Sequence, residues 1–424
     1  QYHPGSTAWG PMHWGHAVSR DLIHWEHLPI ALYPDKMGTI FSGSAVYDTE
    51  DTSGFGILGN PPIVAIYTQD WEGPNEKKDR KQQQSIAYSI DGINFLKYEL
   101  NPVLPCPEGQ TDFRDPKVFR NHIKNCWSMV LAMRDHVEFF ASKDLIHWEK
   151  TGSFGPKGNL APGVWECPDL LELESPDGTK AVLIVSMGMD AESGGSRTQY
   201  FIGSFDGNTF LPDQIESAPL WLDEGFENYA GVTFDHTDSK ILIGWANNWR
   251  YAADCPTNEF CSNMTLAREL SLKQTKCGLR LAAKPLGLAG CITGLRNLRA
   301  VDRISSEVFA VSFEGETDTE IQLKNASNQI LRFGVHGENF FFDRSQAGDS
   351  SFSEIFASDS YSKKEVPRLL SGKWKVEAIF DVSHIELFWD NGTITMSCLV
   401  FPDTPYDSIS FTGKVKARYM DLEG

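Results

Sequence analysis

Two carboxylates in this chain stand in surroundings that turns and solvated edges do not explain. Asp115 lies in "TDFRDPKVF", directly after Arg114 and before Pro116. A charged pair at the edge of an apolar strand is costly to bury unless it is partnered, and Pro116 is expected to hold Asp115 in extended geometry. Glu166 lies in "PGVWECPDLLEL", between Trp165 and Cys167, and Pro168 then leads into an apolar strand. A carboxyl against an indole, with a weakly polar thiol beside it, predicts a raised pKa and a proton donor at neutral pH. Each acid alone has a plainer explanation: a structural Arg114–Asp115 ion pair, or a strand-edge glutamate with its head in water. Together, a proton donor and ring-stacking aromatics are the equipment of glycosidic cleavage. Trp9, Trp14, Trp165, Trp245 and Trp249 are the candidate rings.

Other chemistries fit less well. His3, His13, His16, His24 and His27 crowd the start of the chain. Pro11 and Gly15 flank His13 and His16, however, and strand geometry puts those two on opposite faces, so no metal is expected. The glycine-rich "GSFGPKGNLAPG" opens no helix and is not a phosphate loop. Eight cysteines include no Cys-x-x-Cys pair, which argues against structural zinc and against a compact disulfide scaffold. The formal net charge of −19 excludes the basic surface a nucleic-acid partner needs and suits a neutral substrate. No apolar run is long enough for a membrane-spanning helix.

The elements that must position these acids announce themselves by repetition. "SRDLIHWEH" starts at Ser19 and "SKDLIHWEK" at Ser142; weaker copies, "SIDGINFLKY" and "SFDGNTFLPD", start at Ser89 and Ser204. The common pattern is Ser-x-Asp-(Leu/Gly)-x-x-(Trp/Phe). Asp-Gly is a hairpin-turn signal, and Asp21, Asp91, Asp144 and Asp206 read as turn and capping residues, not as catalytic acids. Short strand-like runs such as "FSGSAVY", "PPIVAIYT", "CWSMVLAM" and "KAVLIVSM" precede the turns, which gives about four strands per unit and almost no helical periodicity. Four-stranded units repeated around an axis are propeller blades. A fifth unit falls around "VTFDHTDSKILIGWANNW". The fold class expected is therefore all-β: a five-bladed β-propeller over residues 1–285, a connector over 286–299, and a C-terminal β-sandwich over 300–424, where alternating strands return without the repeat. Asp390-Asn391-Gly392 is a hairpin turn within the last part.

With these residues on the page, the chain resembles the family 32 glycoside hydrolases: invertases, exo-inulinases and levanases. "QYHPGSTAWGPMHWGHA", "FSGSAV", "FRDPKVF", "WECPDL", "NYAGVTF" with "ILIGWANNW", "MTLAREL" and "DVSHIELFWDNG" carry the likeness over nearly the whole length. The resemblance implies a retaining reaction at a terminal β-linked fructose of sucrose or a fructan, with no metal or organic cofactor and an extracellular location. It implies that Asp115 holds two ring hydroxyls and stabilises the transition state. It implies that Glu166 protonates the leaving oxygen and then activates water, with Cys167 tuning it by contact. Gln1, Trp9, Phe41, Ser42, Arg114 and Trp249 fall on positions that line the fructose pocket in relatives. The family's nucleophile is an Asp in a Trp-Met-Asn-Asp-Pro-Asn-Gly segment some fifteen residues before the Gln-Tyr-His-Pro matched at Gln1. The sequence opens at Gln1 without Met or signal peptide, so that segment and the first blade's first strand are expected to be missing. Ala267 stands where relatives often carry Pro. Two alternatives to hydrolysis follow: a non-catalytic fructoside-binding protein, and a fructosyltransferase on the same scaffold.

Overall fold

The computed structural model describes residues 1–73, 76–155, 163–188, 195–214, 218–258 and 260–423, with backbone alone at residues 73 and 76–79. The glycine-rich stretch that begins at Gly152 lies largely outside them. Among the described residues helix is confined to single turns at Ala252–Asp254, Leu288–Gly290, Glu354–Ala357 and Asp359–Ser362, and everything else regular is antiparallel strand.

Five sheets follow one another along the first part of the chain. The first holds Trp14–Ser19 and Trp25–Leu32; the second, Thr39–Tyr47, Ile63–Gly73, Glu76–Ser89 and Leu96–Lys97. The third holds Phe113–Asn121, Cys126–Met133, His136–Ser142 and Glu149–Phe154; the fourth, Trp165–Ser175, Gly178–Met187, Arg197–Phe205 and Phe210–Pro212, with the short Leu220–Trp221 also paired to Arg197–Phe205. The fifth, at the place of the unit that lacks the repeat, holds Tyr229–Thr233, Ile241–Trp245, Arg268–Thr275 and Gly278–Pro285. Each consecutive pair shares an apolar layer. Trp14 and Leu32 meet Ile40 and Tyr67; Val64 and Ile66 meet Val118 and Met129; Val130 and Phe139 meet Leu170 and Leu183; Leu171 and Ile184 meet Leu242 and Leu270. A middle strand covered on both faces has no polar side, which is why "CWSMVLAM" and "KAVLIVSM" read as continuous apolar runs.

The repeated nonapeptide is a turn. In the second, third and fourth sheets it joins the third strand to the fourth. Asp21 Oδ1 accepts from the backbone N–H of Ile23 (3.0 Å) and His24 (2.8 Å), and Asp144 Oδ1 does the same for Ile146 and His147. Asp91 and Asp206 repeat the arrangement. The Leu/Gly position takes left-handed φ in all four copies: 68° at Leu22, 73° at Gly92, 64° at Leu145 and 88° at Gly207. Glycine adopts this freely, whereas leucine does so at about 1–2 kcal/mol; the Leu145 side chain is fully buried between the second and third sheets.

Residues 292–422 form two six-stranded sheets around one core that contains Phe309, Phe333, Phe340, Trp374, Leu387 and Trp389. The span 286–299, read from sequence as a connector, includes the strand Ile292–Asn297, which pairs with Val415–Leu422 at the end of the chain. Strands His384–Trp389 and Ile394–Leu399 are buried on both faces. One face joins the two-sheet core; the other meets the five-sheet part. The hairpin between them turns at Asp390-Asn391-Gly392, all three at positive φ, and Gly392 lies so close to the backbone of Ala283 that a Cβ would sit 1.8 Å from its carbonyl oxygen.

Arg268 is the centre of that junction. Its guanidinium donates to Asp223 Oδ2 (2.9 Å), to Glu386 Oε2 from both Nε and Nη2 (3.0 and 2.5 Å), and to Ser397 Oγ (2.5 Å), with all four residues buried. Burial opposes ionisation of Asp223, but Arg268 and the Ser397 donors hold its pKa down to about 2. Arg268→Met strands two buried carboxylates and is expected to cost about 3–5 kcal/mol, read as a lower urea midpoint at unchanged slope.

Candidate active site

The leading strands of the second to fifth sheets lie side by side, and each carries a bulge. Register slips occur between Ile40 and Gly43, Arg114 and Lys117, Glu166 and Asp169, and Tyr229 and Val232. A bulge re-aims the side chains around it. Asp115, Cys167 and Ala230 take φ of 64°, 44° and 53°. The residue after two of them is Pro116 or Pro168, which has no N–H for the ladder to lose. This corrects the expectation that Pro116 keeps Asp115 extended: the kink, not the strand, aims its carboxylate.

Below the bulges the strands are locked together. Ser44 Oγ donates to the carbonyl of Pro116 (2.9 Å) and accepts from Val118 N–H (3.0 Å). Lys117, buried, pairs with the fully buried Asp169 (3.3 Å) and donates to the Thr233 carbonyl; Asp169 Oδ2 also accepts from Thr233 N–H and Oγ1, each at 2.7 Å.

At the bulges the predicted residues converge. Arg114 Nη2 donates to Glu166 Oε1 (2.9 Å), its Nη1 to Asp112 Oδ1 (2.6 Å), and its Nε lies 3.8 Å from Asp115 Oδ2. One guanidinium thus faces both candidate acids. Asp115 Oδ2 accepts from Cys167 N–H (3.0 Å), and the Cys167 thiol is 3.7 Å away. Burial, with Glu166 adding to it against the pull of Arg114, pushes the Asp115 pKa up to about 6. Burial also lifts the Cys167 thiol well above its usual range. Gln1 Nε2 donates to Ser42 Oγ (2.9 Å), and the Trp9 ring meets the Phe41 ring edge-on at 5.6 Å. Trp249 joins from the other side: its ring lies 4.9 Å from Trp245, which lies 6.3 Å from Tyr229.

Two expectations about Glu166 change. Trp165 is not its neighbour: strand alternation turns the indole into the core between Phe154 and Phe201, at 6.2 and 5.7 Å. Cys167 hydrogen-bonds Asp115 rather than Glu166. The partner sequence reasoning missed is Tyr229, whose buried hydroxyl donates to Glu166 Oε2. The signal was present in "NYAGVTF", an Ala-Gly pair inside a strand, which marks a bulge as Asp-Pro and Cys-Pro do. Thr68 and Gln82 were missed as well. Thr68 Oγ1 accepts from Asp115 N–H (2.9 Å), and Gln82 Oε1 accepts from Phe113 N–H (3.1 Å) and Arg114 (3.3 Å).

The early histidines do not assemble. His24 Nδ1 faces Asp21 at 2.8 Å, while His3 and His13 face the carbonyls of Ala8 and Pro11. Among the described residues no three His, Cys, Asp or Glu side chains converge as metal ligands, and all eight cysteines are free thiols.

This arrangement can be set against known proteins. The family model described as "Glycosyl hydrolases family 32 N-terminal domain" matches residues 1–285, and "Glycosyl hydrolases family 32 C terminal" matches residues 295–422. A levanase of Bacillus subtilis (strain 168) is 41% identical over 454 residues, covering 100% of this chain, which spans 65% of that protein. An extracellular exo-inulinase of Aspergillus awamori is 34% identical over 473 residues, covering 97% of this chain and 86% of the relative. The solved exo-inulinase from Aspergillus awamori superposes with a TM-score of 0.87 at 31% identity, covering 100% of this chain and 92% of that one. A β-fructofuranosidase from Schwanniomyces occidentalis complexed with fructosyl-erythritol gives 0.86 at 29%, covering 100% and 91%. Matched over residues 1–285 and 295–422 by the two family models, the chain belongs to glycosyl hydrolase family 32.

Proposed function

We propose that this protein releases terminal β-linked fructose from sucrose or fructans with retention of configuration, outside the cell, on a five-bladed β-propeller followed by a β-sandwich. The observation that carries the reading is the Arg114 guanidinium set between Asp115 and Glu166, in a chain whose relatives are named levanase, extracellular exo-inulinase and invertase. The propeller is supported by the apolar layer between each consecutive pair of sheets. It is also supported by Gly287, just past the fifth sheet, which lies so close to the turn of the first that a Cβ there would sit 2.5 Å from the Ile23 side chain and 2.6 Å from the Asp21 carbonyl oxygen. The domain division proposed is 1–285 and 300–424, with the strand Ile292–Asn297 added to the second domain.

In this mechanism Glu166 protonates the glycosidic oxygen as the bond breaks and later takes a proton from the attacking water. Tyr229 and Arg114 hold one carboxyl oxygen each and fix its plane. Asp115, held by Cys167 N–H and offset by Arg114, accepts two ring hydroxyls and stabilises the positive charge that develops on the fructose ring. Gln1 and Ser42 offer polar contacts; Trp9, Phe41 and Trp249 give apolar walls. The covalent intermediate also needs a nucleophilic carboxylate.

The test is product analysis of the full-length protein with sucrose, inulin and levan. Free fructose as the first product at low sucrose is expected. Growing oligomers at high sucrose would make it a transferase, and calorimetric binding of fructosides without turnover would make it a binding protein. Tyr229→Phe removes a hydrogen bond to a charged group, worth about 1.5–3 kcal/mol. It is expected to lower kcat roughly 10–100-fold with circular dichroism unchanged; a variant of wild-type rate contradicts the role given to the hydroxyl.

A further inference from the structure

We propose that the two-sheet unit takes part in the reaction through Arg344, a positioning residue that holds Tyr229 and Trp249 in place from outside the five-sheet part. This rests on the reading of Glu166 as acid and base given above.

The link is Glu227, which is fully buried. Its carboxylate accepts from Arg344 Nη1 (3.0 Å) and Nη2 (2.9 Å), from Leu399 N–H (2.9 Å) and from the Tyr251 hydroxyl. Arg344 and Leu399 belong to the two-sheet unit, on strands Asn339–Gln346 and Ile394–Leu399. Glu227 stands two residues before Tyr229, the partner of Glu166. Tyr251 stands two residues after Trp249. Between the two legs, Asn248 Nδ2 donates to the Phe226 carbonyl (3.0 Å) and Tyr251 N–H to the Asn248 carbonyl (3.1 Å). One carboxylate therefore ties the chain entering the Tyr229 strand to the turn that carries Trp249, and both to the second unit.

Arg344 is itself fixed. It donates to the carbonyls of Leu399 (2.7 Å) and Tyr361 (2.9 Å), and its guanidinium lies 3.8 Å over the Phe356 ring. A buried ion pair adds little net stability over a packed apolar pair. What a two-pronged guanidinium–carboxylate contact does add is a fixed direction. Neither Arg344 nor Glu227 is hydrogen-bonded to Asp115 or Glu166, so their effect on the reaction runs through Tyr229 and Trp249.

Two mild variants of the full-length protein test this. Tyr251→Phe removes one hydroxyl and keeps the ring against Phe356 and Tyr361, at 5.2 and 5.8 Å. Arg344→Lys keeps the charge and removes the fork. Each is expected to lower kcat on sucrose about 3–10-fold and raise KM, the scale of one lost hydrogen bond. In a Tyr229→Phe background the kcat loss disappears while the KM rise, which belongs to Trp249, persists. Amide hydrogen exchange is expected to quicken over residues 226–230 and 248–252 and to stay unchanged over 113–121. Arg368→Met is the control. It breaks the Arg368–Asp390 pair inside the two-sheet unit (3.4 Å), lowers stability and leaves kcat and KM unchanged. Additive kcat losses in the Tyr229→Phe background, or exchange no faster at either leg, would overturn the proposal. Should the wild-type protein release no fructose, the functional reading falls, and the exchange data alone still decide whether Arg344 holds the two legs.

Discussion

Glu166→Gln in the full-length protein is expected to lower kcat on sucrose by about 10²–10⁴-fold, the usual worth of a positioned acid and base. The amide keeps the size of the side chain, its oxygen can still accept from Arg114 and its NH2 can donate to the Tyr229 hydroxyl oxygen, so folding should be preserved. The distinguishing readout is the leaving group. β-Fructosyl fluoride needs no proton to lose fluoride, so the first step keeps most of its rate while the second, which needs the base, does not. A burst of fluoride followed by a slow steady rate is expected. Equal losses on sucrose and on the fluoride, without a burst, would mean that Glu166 is not the proton donor.

Asp115→Asn is expected to do two things in opposite directions. Activity should fall about 10²–10³-fold, because the charge that answers the developing cation is gone. Stability at pH 7 should rise. The folded-state pKa of Asp115 is pushed up to about 6, against an unfolded value near 3.9. Between those values the native state holds a proton the unfolded state has lost, so this group's ionisation costs stability above about pH 6, and the cost fades as pH falls towards 4. A gap of about two pK units corresponds to on the order of 3 kcal/mol. Asparagine keeps an acceptor for Cys167 N–H, so much of that cost is removed at pH 7 and nothing is gained at pH 4. Urea titrations at the two pH values check this. A variant destabilised equally at both would show that the carboxylate is held by its partners rather than opposed by burial.

The sequence disclosed the framework more readily than the site's wiring. Local turn chemistry is written in adjacent residues, so Ser-x-Asp located the same turn four times and Asp390-Asn391-Gly392 located the hairpin. The acids themselves could be picked out because no turn or cap accounted for Asp115 or Glu166. What surrounds them depends on which face of a strand each neighbour takes and on where the register slips. Adjacency in sequence sets Trp165 against Glu166, but alternation buries the indole; a following proline favours an extended Asp115, but the bulge gives it a left-handed φ. Tyr229, Lys117 with Asp169, and Glu227 with Arg344 meet partners 52 to 117 positions away, and nothing local announces such pairings. Nothing in the junction strands "IELFW" and "ITMSCL" announces that Arg268 answers Glu386.

The claim on which the rest depends is that Asp115 and Glu166 address one fructose ring. It is tested most directly by a crystal structure of the full-length Glu166→Gln variant with sucrose. The account predicts two ring hydroxyls on the Asp115 carboxylate, and the glycosidic oxygen within about 3.2 Å of the residue-166 side chain. Sucrose seated with its fructose away from Asp115, or with the glycosidic oxygen out of reach of position 166, would contradict it.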